Sequence, residues 1–131
     1  MHTFLKKFPE VDEICIVDDE YVPRFLARKL FGYEVPQIPF HEFENAEDAL
    51  THLNASPNQR RLILVDINMP VLDGWYLIEH MNHTGGDNLI FILSSSNNIH
   101  DREKAAQYPN ITGYLDKPLR IEQLEYLRDN Y

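Results

Sequence analysis

Four apolar runs of the chain each lead directly into residues able to do ionic or phosphate chemistry. Ile14-Cys15-Ile16-Val17 runs into Asp18-Asp19-Glu20, and Leu62-Ile63-Leu64-Val65 into Asp66-Ile67-Asn68-Met69-Pro70. Leu89-Ile90-Phe91-Ile92-Leu93 runs into Ser94-Ser95-Ser96, and Thr112-Gly113-Tyr114-Leu115 into Asp116-Lys117-Pro118. Carboxylates ~4–5 Å apart repel by about 3–4 kcal/mol at an effective dielectric near 20. A cluster of Asp18, Asp19 and Asp66 therefore takes up protons or recruits a cation, and a hard divalent ion such as Mg²⁺ suits oxygen ligands of this kind. Such an ion orients and neutralises a phosphoryl group. Lys117 adds a positive charge for a phosphoryl oxygen, and Ser94 adds a hydroxyl. Asp66, flanked by the others, is the best-placed nucleophile, because carboxylates attack phosphorus to give acyl phosphates. Each residue alone has a plainer role: an aspartate after a strand often caps the next helix, a serine closes a turn, a lysine is solvated. Their joint occurrence at four strand ends favours the chemical role.

The elements that must hold these residues are legible in the apolar pattern. The runs Ile14–Val17, Leu62–Val65 and Leu89–Leu93 are continuous, as in strands covered on both faces of a parallel sheet. Ile38-Pro39-Phe40-His41-Glu42-Phe43 alternates and contains a proline, which suits an edge strand. Thr112 to Leu115 is short and contains a glycine, which suits the other edge. Between the runs lie helical stripes: Val22, Phe25, Leu26 and Leu30, with Pro23 in the first turn; Ala46, Ala49, Leu50 and Leu53 after Asn45, a candidate N-cap; Leu72, Trp75, Ile78 and Met81, ended by Gly85-Gly86; and Ile121, Leu124 and Leu127. The segment from Ile99 to Tyr108 is more polar, carried by Ala105 and Ala106, and is expected to pack loosely and to move. Five strand–helix repeats with two edge strands predict an α/β flavodoxin-like (βα)5 three-layer sandwich with parallel strand order 2-1-3-4-5, whose ligands bind beyond the carboxyl ends of the strands.

The length of 131 residues suits one domain, 1–131 with its core over about 13–131, and no output domain. Twelve basic residues against twenty-one acidic ones give a net charge of −9, which disfavours nucleic acid and anionic membrane surfaces as partners. The single cysteine, Cys15, excludes an internal disulfide and a multi-cysteine zinc cluster. No apolar run approaches a membrane span and the apolar part of the first eight residues is too short for a secretory signal, so a cytoplasmic location is expected.

The pieces Val17-Asp18-Asp19-Glu20, Leu64 to Gly74, Ile92-Leu93-Ser94-Ser95 and Gly113-Tyr114-Leu115-Asp116-Lys117-Pro118 together resemble the receiver domain of two-component response regulators, in the stand-alone form of the chemotaxis regulators. The resemblance runs from about Glu13 to the C-terminus, and Asp66 to Gly74 is its most specific part. It implies a phosphorelay switch: Asp66 accepts a phosphoryl group from a phosphohistidine on a histidine kinase or histidine phosphotransfer protein. It implies that Asp18, Asp19, Asp66 and the backbone carbonyl of Asn68 hold Mg²⁺ or Mn²⁺, with Asp19 the direct ligand of the acidic pair and Asp18 acting partly through water. Ser94 matches the switch hydroxyl, with Ser95 the alternative one residue on, and Tyr114 matches the switch aromatic. Lys117-Pro118 matches a pair whose peptide bond is often cis in the family. Catalysis is then confined to the domain's own phosphorylation and dephosphorylation, and the output is a contact with a downstream protein target, from a monomer or weak homodimer. Asn68 and Ser96 flank the expected path of the hydrolytic water. The chain departs from the pattern at Ser95, where an alanine or other small residue is common, at Tyr108 to Ile111, which is one residue longer than usual, and in its polar fourth helix.

Other readings are weaker. His80 and His83 stand about one helical turn apart but lack an evident third metal ligand. Cys15 reads as core, Trp75 or Tyr76 as core or rim packing, and Glu122, Glu125, Arg128 and Asp129 as a solvated face. A small-molecule phosphatase would need a substrate cap for which there is no length. A flavin or nucleotide binder would need a phosphate-cradling loop where Asp18-Asp19-Glu20-Tyr21 stands. A receiver-like interaction module that works without phosphorylation is the remaining alternative.

Overall fold

A computed structural model of the chain describes residues 8–69, 73–81, 88–94 and 99–131. Strands and helices alternate: β1 (Glu13–Val17), α1 (Tyr21–Glu34), β2 (Phe40–Phe43), α2 (Ala46–Ala55), β3 (Arg61–Asp66), α3 (Gly74–Met81), β4 (Leu89–Ser94), α4 (Ile99–Ala105), β5 (Gly113–Asp116) and α5 (Ile121–Asn130). All strand pairs are parallel, in the order β2-β1-β3-β4-β5. This is the flavodoxin-like order expected from the two edge strands. Pro39 stays just outside β2, its carbonyl accepting a hydrogen bond from Ile14 N at 2.8 Å, so the missing N–H costs the ladder nothing.

The central strands β1, β3 and β4 are buried along their whole length, as their continuous apolar runs require. Alternate side chains feed two cores. Cys15, Val17, Ile63, Val65, Ile90 and Ile92 pack under α2, α3 and α4, whereas Ile14, Ile16, Leu62, Leu64, Phe91 and Leu93 pack under α1 and α5. Asn45 caps α2 as expected, its side chain accepting from Asp48 N at 2.7 Å. Leu124 and Leu127 anchor α5. No helix among the described residues is long and apolar enough to cross a membrane.

Two helices differ from the sequence pattern. The stripe Val22–Leu30 predicts the buried face of α1, but the buried residues are Ala27, Phe31 and Glu34, and Val22 and Leu26 are 62% and 42% exposed. Ala27 lets the helix approach the sheet closely, and Phe31 then stacks on Phe40 and meets Phe8 edge-on. Val22 and Leu26 instead line a groove with Leu93, Pro118 and Leu119. The fourth helix is shorter than expected. It ends at Ala105 because Pro109 disfavours helical backbone at Tyr108, and Gln107 N turns back to the Lys104 carbonyl. Among its described side chains only Ala105 is buried.

Candidate functional site

The ladder registers fix which strand ends meet. Val17 is level with Val65, Asp66 with Leu93, and Ser94 with Asp116. Asp18, Asp66, Ser94 and Lys117 therefore all leave the sheet at its carboxyl edge, around the point where the chain direction of the strand order reverses.

Asp18 is fully buried and Asp66 nearly so, while Asp19 is exposed. Carboxylate oxygens of the three lie within 4.8 Å of one another. Local backbone sets two of them: Asp18 Oδ1 accepts from Glu20 N at 2.9 Å, and Asp66 Oδ1 accepts from Asn68 N at 3.0 Å. Each side chain closes a turn at its own strand end, so its second oxygen points into the shared site. There the Lys117 ammonium lies 2.6 Å from Asp18 Oδ2 and 3.4 Å from Asp66 Oδ2. Burial pushes the Asp18 carboxyl up, the Asp66 charge pushes the same way, and Lys117 and the Glu20 N–H oppose them; the net shift is upward. Burial works against the charge of Lys117, but Asp18 and Asp66 outweigh it and hold the ammonium above its usual range. A site of three carboxylates with one ammonium is short of positive charge and offers only hard oxygen ligands, which fits Mg²⁺.

Two glycines make room. A Cβ on Gly74 would stand 2.5 Å from the Asp66 carbonyl oxygen, so glycine lets α3 start directly against the end of β3. Asp73 then caps that start, accepting from Tyr76 N at 3.1 Å. A Cβ on Gly113 would stand 2.7 Å from the Phe91 ring.

Ser94 is buried at the end of β4. Its backbone carbonyl accepts from Lys117 N at 2.9 Å, which ties the lysine loop to β4. The Lys117–Pro118 peptide bond is cis. On β5, Tyr114 packs against the core under α3 and α4 with its hydroxyl buried and unpaired among the described residues, and the Arg102 guanidinium lies 4.8 Å over its ring. Ser95, Ser96, Pro70 to Leu72 and His83 lie outside the described residues. His80 meets the Tyr76 carbonyl at 2.8 Å through Nδ1 and joins no metal cluster among the described residues.

The sequence reading missed Arg24. It donates to the Asp18 carbonyl at 2.8 Å and pairs with Glu42 at 3.3 Å, so it braces the acidic loop from α1. Its spacing four residues before Arg28, which pairs with the same glutamate at 3.0 Å, was the available signal. It also missed Glu13 and Arg61, which are buried inside strands and pair with each other.

Comparison with known proteins gives a consistent result. Residues 14–127 match the response regulator receiver domain family. The transcriptional regulatory protein PcoR of Escherichia coli is 31% identical over 87% of this chain and 48% of its own length. The chain spans about half the length of the curated relatives it matches. A response regulator receiver protein from Dyadobacter fermentans superposes with a TM-score of 0.74 at 28% identity, covering 88% of this chain and 93% of the other. A two-component response regulator from Cytophaga hutchinsonii shares the fold with a TM-score of 0.77 at 24% identity, over 94% and 100% of the two chains.

Proposed function

The chain belongs to the response regulator receiver domain family, and on that premise we propose that it is a phosphorylation-dependent switch whose phosphoacceptor is Asp66. The observation that carries this reading is the Lys117 ammonium held between Asp18 and Asp66 at the carboxyl edge of the sheet. Asp66 attacks the phosphorus of a phosphohistidine on a histidine kinase or phosphotransfer protein; the O–P bond forms as the P–N bond breaks, and the imidazole nitrogen keeps the electron pair. Asp18, Asp19, Asp66 and the Asn68 backbone carbonyl would hold Mg²⁺ or Mn²⁺, which when bound supplies positive charge to the transferring phosphoryl oxygens. Lys117 supplies the protein's own positive charge to the same oxygens. The Ser94 hydroxyl moves toward the new phosphoryl group, and Tyr114 and α4 follow. Tyr114 is poised for this because its buried hydroxyl has no hydrogen-bond partner among the described residues and its ring is held only by core packing and the Arg102 guanidinium, so a small bias shifts the balance. Hydrolysis resets the switch: water attacks phosphorus, the Asp66 carboxylate leaves, and the proton goes to solvent. The Asn68 side chain, two residues after the acceptor, flanks that water and influences the lifetime.

The phosphorylated surface signals through a protein partner in the cytoplasm, from a monomer or weak homodimer, with 1–131 acting as one receiver unit. Incubation with acetyl phosphate tests the reading. The intact mass is expected to rise by one phosphoryl group with Mg²⁺ and not with chelator, and Asp66→Asn is expected to stay unmodified. Equal modification of parent and variant moves the acceptor elsewhere. No modification of either leaves the interaction module that works without phosphorylation.

A further inference from the structure

At the opposite end of the sheet from Asp66, the beginnings of β1 and β3, the β2 edge and the inner side of α2 assemble a second polar cluster. Glu13, almost fully buried, accepts hydrogen bonds on Oε2 from Arg61 Nε at 3.0 Å and from Cys15 Sγ at 3.3 Å. Nε2 of His52 lies 2.5 Å from the same oxygen, and Nε2 of His41 lies 3.7 Å from Oε1. The two imidazole rings pack at 4.6 Å. Ligand atoms of Glu13, Cys15 and His52 lie within 4.8 Å of one another. The ion pair with Arg61 is enough to compensate the buried charge of Glu13. It does not explain why a thiol and two imidazole nitrogens converge on the same carboxylate.

We propose that Cys15, His52 and Glu13 bind a divalent transition-metal ion of the zinc type, with a solvent molecule on the side of His41 completing the four-coordinate shell. In a tetrahedral site with metal–ligand distances of about 2.0–2.3 Å, neighbouring ligand atoms stand about 3.3–3.5 Å apart. The Sγ to Oε2 distance already meets this, and the His52 contact to the same oxygen has to open by less than ~1 Å. The ion takes the place of hydrogens that now hold the cluster. The thiol proton leaves to solvent as the metal–sulfur bond forms, and His52 offers its Nε2 lone pair with the ring proton on Nδ1. The Cys15 thiolate meets one positive charge of the ion, and Glu13, which keeps its bond from Arg61, shares its charge between the ion and the guanidinium. A cysteine sulfur among the ligands selects a thiolate-seeking ion over a hard one. The two histidines, 40% and 29% exposed at their side chains, form the entrance, and the buried cysteine forms the floor.

Titration of the full chain with Co²⁺ in excess Mg²⁺, which occupies the aspartate site, tests the assignment independently of phosphorylation. One equivalent is expected to produce a thiolate-to-cobalt charge-transfer band with the strong visible bands of four-coordinate cobalt, and Zn²⁺ is expected to abolish both. Asp66→Asn is expected to keep the spectrum and Cys15→Ser to lose the charge-transfer band. His52→Gln, at a half-buried helix position that spares the core, is expected to weaken binding by about tenfold or more. A saturated protein without the charge-transfer band overturns the proposal. So does cobalt binding that survives in folded His52→Gln with unchanged affinity, or that disappears in Asp66→Asn.

Discussion

Lys117 Nζ stands 2.6 Å from Asp18 Oδ2, nearer than the 3.4 Å that separates it from Asp66 Oδ2. In this state the ammonium is committed to the buried member of the acidic pair, and under the proposed function it would reach phosphoryl oxygens on Asp66 by a short swing across the site. The pair thus holds the lysine between the two carboxylates, closer to Asp18 than to Asp66.

Removing either end of that relationship has opposite consequences for stability. Lys117→Ala leaves the buried carboxylates without their counter-charge and is expected to cost about 3 kcal/mol, as breaking buried pairs does. It is also expected to slow phosphorylation of Asp66 by about 10²-fold or more, the usual effect of deleting one electrostatic donor. Asp66→Asn removes a like charge beside Asp18 and is expected to stabilise the metal-free protein by about 1 kcal/mol. Urea unfolding in chelator reads both signs, and an Asp66→Asn variant less stable than the parent contradicts the repulsion argument.

Tyr114 gives a second test. Its buried hydroxyl has no partner among the described residues, and an unsatisfied buried polar group costs roughly 1–3 kcal/mol. Tyr114→Phe is therefore expected to raise stability by about 1 kcal/mol in urea unfolding and to hold the ring inward, whereas Tyr114→Ala loses ring packing and destabilises. A Phe variant that unfolds more easily than the parent shows that the hydroxyl has a favourable role.

Gly74→Ala is expected to destabilise by about 1–3 kcal/mol, the usual cost of overpacking. The added methyl meets the Asp66 carbonyl oxygen at 2.5 Å, backbone that cannot rotate away. The displacement falls on the strand end that carries Asp66, so modification by acetyl phosphate is expected to slow as well. A variant with parental stability and parental rate rules out this close contact.

The fold was legible because the three central strands are buried on both faces and their apolar runs cannot be mistaken for surface, and because Pro39 and Gly113 mark the two edges. Asp18, Asp66, Ser94 and Lys117 were legible for a related reason: each follows such a run immediately, and a parallel sheet brings all carboxyl ends to one edge. The inner face of α1 was not. Val22, Phe25, Leu26 and Leu30 form a wider apolar set than the sheet can cover, and the closest approach went to the small Ala27. Glu13 and Arg61 were missed because charge reads as surface, whereas adjacent strands let each bury the other.

That buried pair sets an acid limit. Burial works to raise the Glu13 carboxyl, but hydrogen bonds from His52, Arg61 and Cys15 outweigh it and hold it below its usual 4.5. A lowered carboxyl contributes stability that is fully present above about pH 4.5 and is lost as pH falls through its folded-state value. In chelator-treated protein, Glu13→Gln is expected to be less stable than the parent at neutral pH, with the difference shrinking on acidification. A gap that widens on acidification contradicts the assigned direction.

The most direct test of phosphoryl acceptance is chemical mapping. An acyl phosphate on aspartate is reduced by borohydride to homoserine, whereas an unmodified carboxylate is not. After treatment with acetyl phosphate and Mg²⁺, reduction and peptide mass mapping are expected to find homoserine in place of Asp66 and intact Asp18 and Asp19. Reduction at Asp18 or Asp19 with Asp66 untouched contradicts the account.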